Sequence, residues 1–357
     1  MFFNLVQRYF NLVIKLKIYI NKTLNYTRAR ICFSAYLAYF CKTNQVLYLS
    51  YIMENSNQTK GLIYAGITAG LWGFLAVALK IALKYFDPFT IVWFRFFVAF
   101  IVITIYYLIV RPAWLRILYK PPLLLVLAAL LLSFNYIGFM QGVHYAGPGI
   151  AQVLIQAGAI LLGLIGFIFF KEKVNLTRGV GFVIAAVGFG LFYYQQLEEF
   201  VVNEAVLNRG VIWTLSAALA WAGYAVILKI LVRKWPTQQV NLFLYGLPVL
   251  LFIPFADFSL FVGSYPWYIW VLLVSLGLNT VVAYGSLSMA FKYAEANRIS
   301  IIITLNPIIT FVVLELLLFF NIQWIEISKF STLAYVGAFL VLAGAILAVG
   351  LKRRKSR

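Results

Sequence analysis

From residue 60 to the C-terminal tail, long apolar stretches alternate with short polar segments. Each stretch is about 20 residues long, the length of α-helix that crosses the ~30 Å hydrocarbon core of a bilayer. A transmembrane β-strand would instead alternate apolar and polar residues over a segment of about ten. The pattern predicts ten membrane-spanning helices, at 61–82, 88–110, 122–142, 147–170, 177–195, 210–231, 238–256, 266–289, 298–320 and 331–351.

The composition supports a membrane protein built from helices. Of 357 residues, 64% are hydrophobic and 11% are charged, and the mean hydropathy is +0.94. A soluble domain carries about 25% charged residues. A chain with so few charges leaves its apolar surface to lipid, where backbone groups must be satisfied within helices or closed barrels. We therefore expect an all-α integral membrane protein.

Two segments of the chain repeat each other. LWGFLAVALK at 71–80 matches AWAGYAVILK at 220–229, and NYIGFMQGVHYA at 135–146 matches AYGSLSMAFKYA at 283–294. The offset is 148 to 150 residues throughout, which apolar composition alone would not produce. The ten predicted spans divide into two copies of five. Because five is an odd number, the two copies enter the membrane from opposite sides and form an inverted repeat. The predicted organisation is a first repeat at 60–195, an outer linker at 196–209, a second repeat at 210–351 and a basic tail at 352–357.

The basic residues predict the orientation. With the N-terminus inside, the inner segments after Met53 hold sixteen Lys and Arg residues and the outer loops hold three, namely Lys84, Arg209 and Lys329. Basic residues accumulate in cytoplasmic loops, so both termini are predicted to be cytoplasmic, in the inner or plasma membrane. The net charge of +19 is then mainly a consequence of topology, and we expect no nucleic-acid partner.

Residues 1–52 differ from the rest of the chain. They contain seven Lys and Arg, no Asp or Glu, and no apolar run of 18 residues. Two interpretations stand: a basic interfacial segment lying on an anionic leaflet, or an extension created by a start codon assigned too early, with Met53 beginning the working protein. Both cysteines, Cys32 and Cys41, lie here, and with a single His144 they offer neither a disulfide framework nor a metal site.

The order and spacing of three motifs resemble the EamA-type permeases of the drug/metabolite transporter superfamily. They are LWGFLAVALK on the first span, WFRFFVAF (93–100) on the second, and LNPIITFVVLELLLFF (305–320) on the ninth. The resemblance covers about residues 60 to 351 and implies a ten-helix secondary transporter that often exports small metabolites. The chain departs from the family pattern at Asn306, where the family often has Glu before the proline, and at Asn321, where an acidic residue often closes the span.

Polar residues inside the predicted spans are candidates for a substrate pathway, because such residues are costly in lipid. Arg95 could hold a carboxylate or phosphate through its planar guanidinium, or snorkel outward or bind a carbonyl. The other pathway candidates lie at comparable depths in the two repeats, and the alternative for them is interhelical hydrogen bonding. They are Trp72, Asn135, Tyr136, Gln152, Gln156, Trp221, Tyr284, Thr304 and Asn306.

Three further charged residues are candidates for coupling or gating. Lys80 and Lys229 occupy matching positions in the two repeats, near opposite membrane surfaces. Both lie within snorkelling reach of their interfaces, and the alternative is that each engages a partner at the closed end of the pathway. Glu315 lies within the ninth span, where it could carry a proton or pair with a basic residue of another helix.

These features predict a secondary active transporter of a small polar or amphipathic metabolite, working by alternating access and exporting its substrate. A lipid or lipid-linked-sugar flippase of the same superfamily is the alternative. An intramembrane enzyme would need a catalytic set of side chains at one depth, and the sequence shows none. We expect no cofactor. The expected partners are a small-molecule substrate, membrane lipid and a coupling ion such as a proton, and the protein is expected to be a monomer or homodimer.

Overall fold

A computed structural model describes residues 57–171, 176–198, 204–320 and 332–349. Helices and short connections make up these residues, with no β-strand among them. Residues Gln58–Arg357 group into one unit by their contacts. The predicted N-terminal extension 1–52 and the basic tail 352–357 lie outside the described residues.

Eleven α-helices are described. They are α1 (Asn57–Ala82), α2 (Pro88–Val110), α3 (Leu123–Leu154), α4 (Gln156–Ile168), α5 (Leu176–Glu198), α6 (Glu204–Lys234), α7 (Thr237–Phe252), α8 (Trp267–Tyr293), α9 (Ala296–Ile303), α10 (Asn306–Phe319) and α11 (Thr332–Val349). Short 3₁₀ helices at Pro112–Leu118, Ile253–Phe255 and Phe258–Val262 lie in the connections.

Within the described residues, seven helical segments are long and apolar enough to cross a membrane. One of them, Leu123–Ile168, has 46 residues. At 1.5 Å per residue a straight helix of that length would be about 69 Å long, more than twice the hydrocarbon thickness. The structure therefore supports a multi-pass helical protein, and the count of ten remains a prediction.

Gly147 interrupts α3. Its φ of +82° lies in the left-handed region, which glycine reaches without the steric cost of a Cβ atom. Pro148 follows and cannot donate a backbone hydrogen bond. The chain changes direction here, between the stretches predicted as the third and fourth spans.

Two further interruptions lie at corresponding positions in the two halves of the sequence. Ile155 separates α3 from α4, and Thr304 with Leu305 separates α9 from α10. Ile155 and Thr304 are 149 positions apart, which is the offset of the sequence repeat. Pro307, at the start of α10, accounts for the second break, whereas no proline marks the first.

Glycines allow close packing beside both interruptions. A Cβ atom on Gly158 of α4 would lie 2.6 Å from the carbonyl oxygen of Ala218 on α6. A Cβ atom on Gly73 of α1 would lie 2.5 Å from Cβ of Ile309 on α10. Small residues let membrane helices approach closely enough for dispersion contacts to hold them together. The helix following each break is therefore packed tightly against a helix of the other half.

Candidate functional site

A cavity lies where the two interrupted helices meet α1, α2, α3, α6 and α8. Ile155 and Gln156 contribute from one interruption, and Ile303 and Asn306 from the other. Nine of the ten predicted pathway residues line this cavity: Trp72, Arg95, Asn135, Tyr136, Gln152, Gln156, Trp221, Tyr284 and Asn306. The fold thus brings together side chains spread over more than 230 residues of sequence. Their role in binding a substrate stays a prediction.

The tenth candidate, Thr304, does not line the cavity. Its side chain is buried, and its hydroxyl donates a hydrogen bond of 2.6 Å to the carbonyl oxygen of Ile301, within the same helical segment. Thr304 therefore satisfies the backbone at the interruption, as Ser and Thr side chains commonly do.

Aromatic side chains form a continuous wall along the cavity. The ring centroids are 5.3 Å apart between Tyr136 and Tyr284, 5.1 Å between Tyr284 and Trp72, and 6.0 Å between Trp72 and Trp221. These distances fall in the range of favourable ring pairs. The four rings come from α1, α3, α6 and α8, so the wall joins both halves of the chain.

Arg95 lies at one end of this wall. Its side chain is only 3% exposed, and its guanidinium carbon is 4.6 Å from the centroid of the Tyr136 ring, a cation–π contact. Within the described part of the chain, Arg95 forms no ion pair, and its Nε has no hydrogen-bond partner. The snorkelling alternative is thereby wrong, because the guanidinium is buried beside the cavity and not in solvent.

Amide side chains fix the geometry around the rings. Asn135 Nδ2 donates to the carbonyl oxygen of Ala217 at 3.0 Å, and the Tyr284 hydroxyl donates to Asn135 Oδ1 at 3.5 Å. Gln156 Nε2 donates to the carbonyl oxygen of Gln152 at 3.2 Å. These bonds link α3, α4, α6 and α8 around the cavity.

Three consecutive backbone carbonyls of α1 accept hydrogen bonds from other helices. Asn279 Nδ2 donates to Leu71 O at 3.2 Å, Gln152 Nε2 to Trp72 O at 3.3 Å, and the Thr310 hydroxyl to Gly73 O at 2.7 Å. Interhelical bonds in membranes contribute about 0.6 kcal/mol each. Together they hold the α1 backbone, and with it the Trp72 ring, against α3, α8 and α10.

Some polar atoms at the cavity have no partner among the described residues. They are Gln156 Oε1, Asn306 Oδ1, the Tyr136 hydroxyl and Trp221 Nε1, in addition to Arg95 Nε. A buried polar group left unpaired costs about 1–3 kcal/mol. The residues that line the cavity thus carry two unpaired amide oxygens, two unpaired N–H donors and one unpaired hydroxyl.

The three coupling or gating candidates lie outside the cavity lining. Lys229 is 1% exposed, with its Nζ 4.9 Å from the centroid of Phe170, just beyond the end of α4. The snorkelling alternative is therefore wrong for Lys229. Lys80 is half-buried. Glu315 accepts a 2.5 Å hydrogen bond from the Tyr335 hydroxyl of α11, at the edge of the bundle.

Five apolar lining residues did not figure in the sequence prediction: Leu75, Phe139, Ile155, Ala159 and Ile303. Helical periodicity could have found three of them, because residues three or four apart share a helix face. Leu75 follows Trp72 by three positions, Phe139 follows Tyr136 by three, and Ala159 follows Gln156 by three. Ile155 and Ile303 depend on where the helices break, which the apolar pattern does not show.

The described residues contain no cluster of three or more His, Cys, Asp or Glu side chains that could hold a metal ion. Asp and Glu are also missing from the described lining of the cavity. The charge of the site is therefore set by Arg95.

Comparison with known proteins matches this chain to a family described as the "EamA-like transporter family". The match occurs twice, at residues 59–194 and again at 208–350. The chain belongs to the EamA-like transporter family. The resemblance seen in the sequence motifs is thereby confirmed.

Relatives of this EamA-like transporter carry transporter names. An "Uncharacterized transporter" of Haemophilus influenzae is 31% identical over 297 residues, covering 82% of this chain and 95% of the relative. The "Uncharacterized inner membrane transporter YhbE" of Escherichia coli K12 is 32% identical over 292 residues, covering 80% of this chain and 90% of the relative. One solved structure has a TM-score of 0.63 at 19% identity over 83% of this chain and 99% of that chain, a similarity of fold.

Proposed function

We propose that this EamA-like transporter is a secondary active transporter that exports a small polar or amphipathic metabolite by alternating access. The observation that carries the proposal is the cavity formed where two interrupted helices meet, lined by polar and aromatic side chains from both halves of the chain. In transporters built from repeats, substrates bind at the repeat interface, beside discontinuous helices.

We propose ten spans arranged as two inverted five-helix repeats. Three observations support this arrangement: the family matches the chain twice, the helix breaks at Ile155 and Thr304 keep the offset of the repeat, and Gly147 divides a segment long enough for two spans. Helices Leu176–Glu198 and Thr332–Val349 would complete the two sets. The distribution of basic residues supports cytoplasmic termini, and the name of the YhbE relative supports an inner-membrane location.

A cluster of basic and aromatic side chains lies at the end of the pathway that we propose is closed in this structure. Lys229 Nζ is 4.9 Å and the guanidinium carbon of Arg233 is 6.0 Å from the Phe170 ring centroid. In the repeat, Lys80, Lys84 and Phe320 correspond to these residues, yet Phe320 is 65% exposed. We propose that the Phe170 cluster closes the cytoplasmic end in this conformation, and that the Phe320 cluster assembles when the opposite end closes.

The proposed export is tested by profiling the growth medium by mass spectrometry. Cells producing the full chain are compared with cells producing an Arg95→Ala variant at the same membrane level, and with cells lacking the protein. A metabolite that accumulates outside only with the intact chain supports export and assigns Arg95 to the pathway. Equal export by both versions supports transport and removes Arg95 from it.

An unchanged medium across varied feeding conditions would count against export of a soluble metabolite. The flippase alternative would then be examined with fluorescent lipid analogues in vesicles containing the purified protein.

A further inference from the structure

We propose that the cavity selects organic monoanions, in which a carboxylate pairs with Arg95 and an aromatic or apolar body that carries a hydrogen-bond donor lies along the ring wall. This inference rests on the proposed function, since it names the substrate class of the same site. It narrows the proposed substrate class, small polar or amphipathic metabolites, to molecules of one net charge and one shape.

The charge assignment follows from Arg95. The side chain is nine-tenths or more buried, lines the cavity, and has an Nε without a hydrogen-bond partner. The described lining of the cavity contains no Asp or Glu. Holding a guanidinium inside a membrane without a counter-ion is costly, and a bound carboxylate can offset this cost through a bidentate pair. A single guanidinium balances a single negative charge.

The shape assignment follows from the order of the rings. Arg95 lies over Tyr136, and Tyr284, Trp72 and Trp221 continue the wall away from it at ring separations of 5.1 to 6.0 Å. A ligand whose anionic group is at Arg95 therefore extends its body along aromatic faces, where planar or apolar groups pack well.

The donor assignment follows from the amide oxygens. Gln156 Oε1 and Asn306 Oδ1 are buried acceptors without a partner among the described residues, one beside each helix interruption. A hydroxyl or N–H on the ligand body would satisfy one of them, and sites with unpaired acceptors discriminate strongly against ligands that lack the donor.

The net charge separates this proposal from a zwitterion or cation site. An ammonium group would bring a second charge into a cavity whose described lining has no carboxylate to receive it. Because aromatic faces also attract ammonium groups, the experiment has to vary the ligand charge while keeping the body constant.

Four probes share one hydroxyphenyl body: para-hydroxyphenylpropionate (an anion), free tyrosine (a zwitterion), tyramine (a cation) and tyrosol (neutral). Their dissociation constants are measured by isothermal titration calorimetry on the purified full chain in detergent. We expect the anion to bind about 10- to 100-fold more tightly than tyrosol, the range that one charge-assisted hydrogen-bonded pair supplies, with tyrosine and tyramine weaker than the anion.

Two variants test whether Arg95 provides the preference. Arg95→Gln keeps hydrogen bonding without the charge and is expected to bind the anion and tyrosol with equal affinity. Arg95→Lys keeps the charge without the planar fork and is expected to retain a weaker preference for the anion. A symmetric elution peak in size-exclusion chromatography and a melting temperature close to that of the wild type show that a variant is folded.

The proposal is overturned if tyrosol, tyrosine or tyramine binds as tightly as the anion, if none of the four probes binds, or if folded Arg95→Gln keeps the anion preference. These outcomes are distinguishable from failure of the proposed function. Export from cells without an anion preference in vitro removes only the substrate class. An anion preference without export or vesicle transport leaves the binding assignment and removes the transport proposal.

Discussion

Trp72 and Trp221 occupy the same position in the two halves of the sequence, 149 residues apart, and their rings meet edge to face at 6.0 Å beside the cavity. The repeated Trp-to-Lys segment therefore places its two tryptophans at the interface between the halves. The two lysines of the same segments lie elsewhere, with Lys229 buried against Phe170. One duplicated motif contributes both to the cavity wall and to a cluster at the end of the helices.

Replacing either tryptophan of the pair is expected to slow transport. Trp72→Ala and Trp221→Ala each remove one ring of the wall, and ring pairs contribute about 0.5–1.5 kcal/mol beyond buried area, roughly 2- to 10-fold in affinity. The initial export rate of the metabolite found in the growth medium measures the effect. Trp267→Ala is the matched control, because that side chain is 76% exposed at the start of α8 and distant in sequence from the wall. An equal loss in the control would indicate a general effect on expression or folding.

Because α4 packs closely against α6, we expect that replacing Gly158 by a residue with a larger side chain destabilises the protein. Gly158→Ala forces a Cβ atom to within 2.6 Å of Ala218 O, and overpacking of this kind costs about 1–3 kcal/mol. Gly70→Ala, where a Cβ atom would meet no described atom within 4 Å, is expected to be neutral or to stabilise α1 by up to about 1 kcal/mol. Thermal unfolding in detergent compares the two, and equal melting temperatures would contradict the close approach of α4 and α6.

Removing the Phe170 ring is expected to open the end of the bundle where α4 terminates. A cation–π contact contributes about 1–2 kcal/mol when shielded from water, or about 5- to 30-fold in the ratio of closed to open states. After Cys32 and Cys41 are replaced by serine, a cysteine introduced at Ala159 reports access to the cavity. Its labelling by an impermeant thiol reagent in inside-out vesicles should rise in Phe170→Ala.

Phe169→Ala provides the control for that experiment, since the neighbouring Phe169 ring is 76% exposed. A similar rise in both variants would mean that the labelling reports a general loosening of α4. Unchanged labelling in Phe170→Ala would remove the Phe170 cluster from the gate.

Neutralising Glu315 is expected to leave the pH dependence of transport unchanged. The carboxylate accepts a hydrogen bond from Tyr335 at the edge of the bundle and does not line the cavity. Glu315→Gln preserves the acceptor for that bond and removes the titratable group. Transport rates of the wild type and the variant, measured between about pH 5.5 and 8.5, test this. A flattened pH profile in the variant would restore Glu315 as a proton carrier.

Much of the cavity could be predicted from sequence because polar residues in apolar spans are few and costly. Asn135, Gln152 and Gln156 stand out against their surroundings. The same argument also named Thr304, which does not line the cavity and whose hydroxyl donates to the carbonyl oxygen of Ile301. Depth along a span can be read from sequence, but the direction a side chain faces depends on helix rotation and local hydrogen bonding.

The interruption at Ile155 illustrates a second limit. Pro307 marks the break before α10 because proline cannot donate to the preceding turn. No proline lies at the start of α4. The break at Ile155 could therefore be inferred only by aligning the first half of the sequence with the second. Helical periodicity from Trp72 and Tyr136 could have predicted that Leu75 and Phe139 line the cavity. It could not have predicted Ile303, because the position of that residue depends on the helix break.

The sequence by itself determined that this is a helical membrane protein, because the bilayer favours apolar segments of membrane-spanning length and disfavours charge regardless of tertiary contacts. It also determined which costly polar residues needed a partner. Only the tertiary structure decided that Arg95 meets Tyr136, that Lys229 is buried against Phe170, and that Glu315 lies at the edge of the bundle. Those outcomes depend on how helices rotate and cross, which close contacts such as Gly158 on Ala218 determine and apolar length does not.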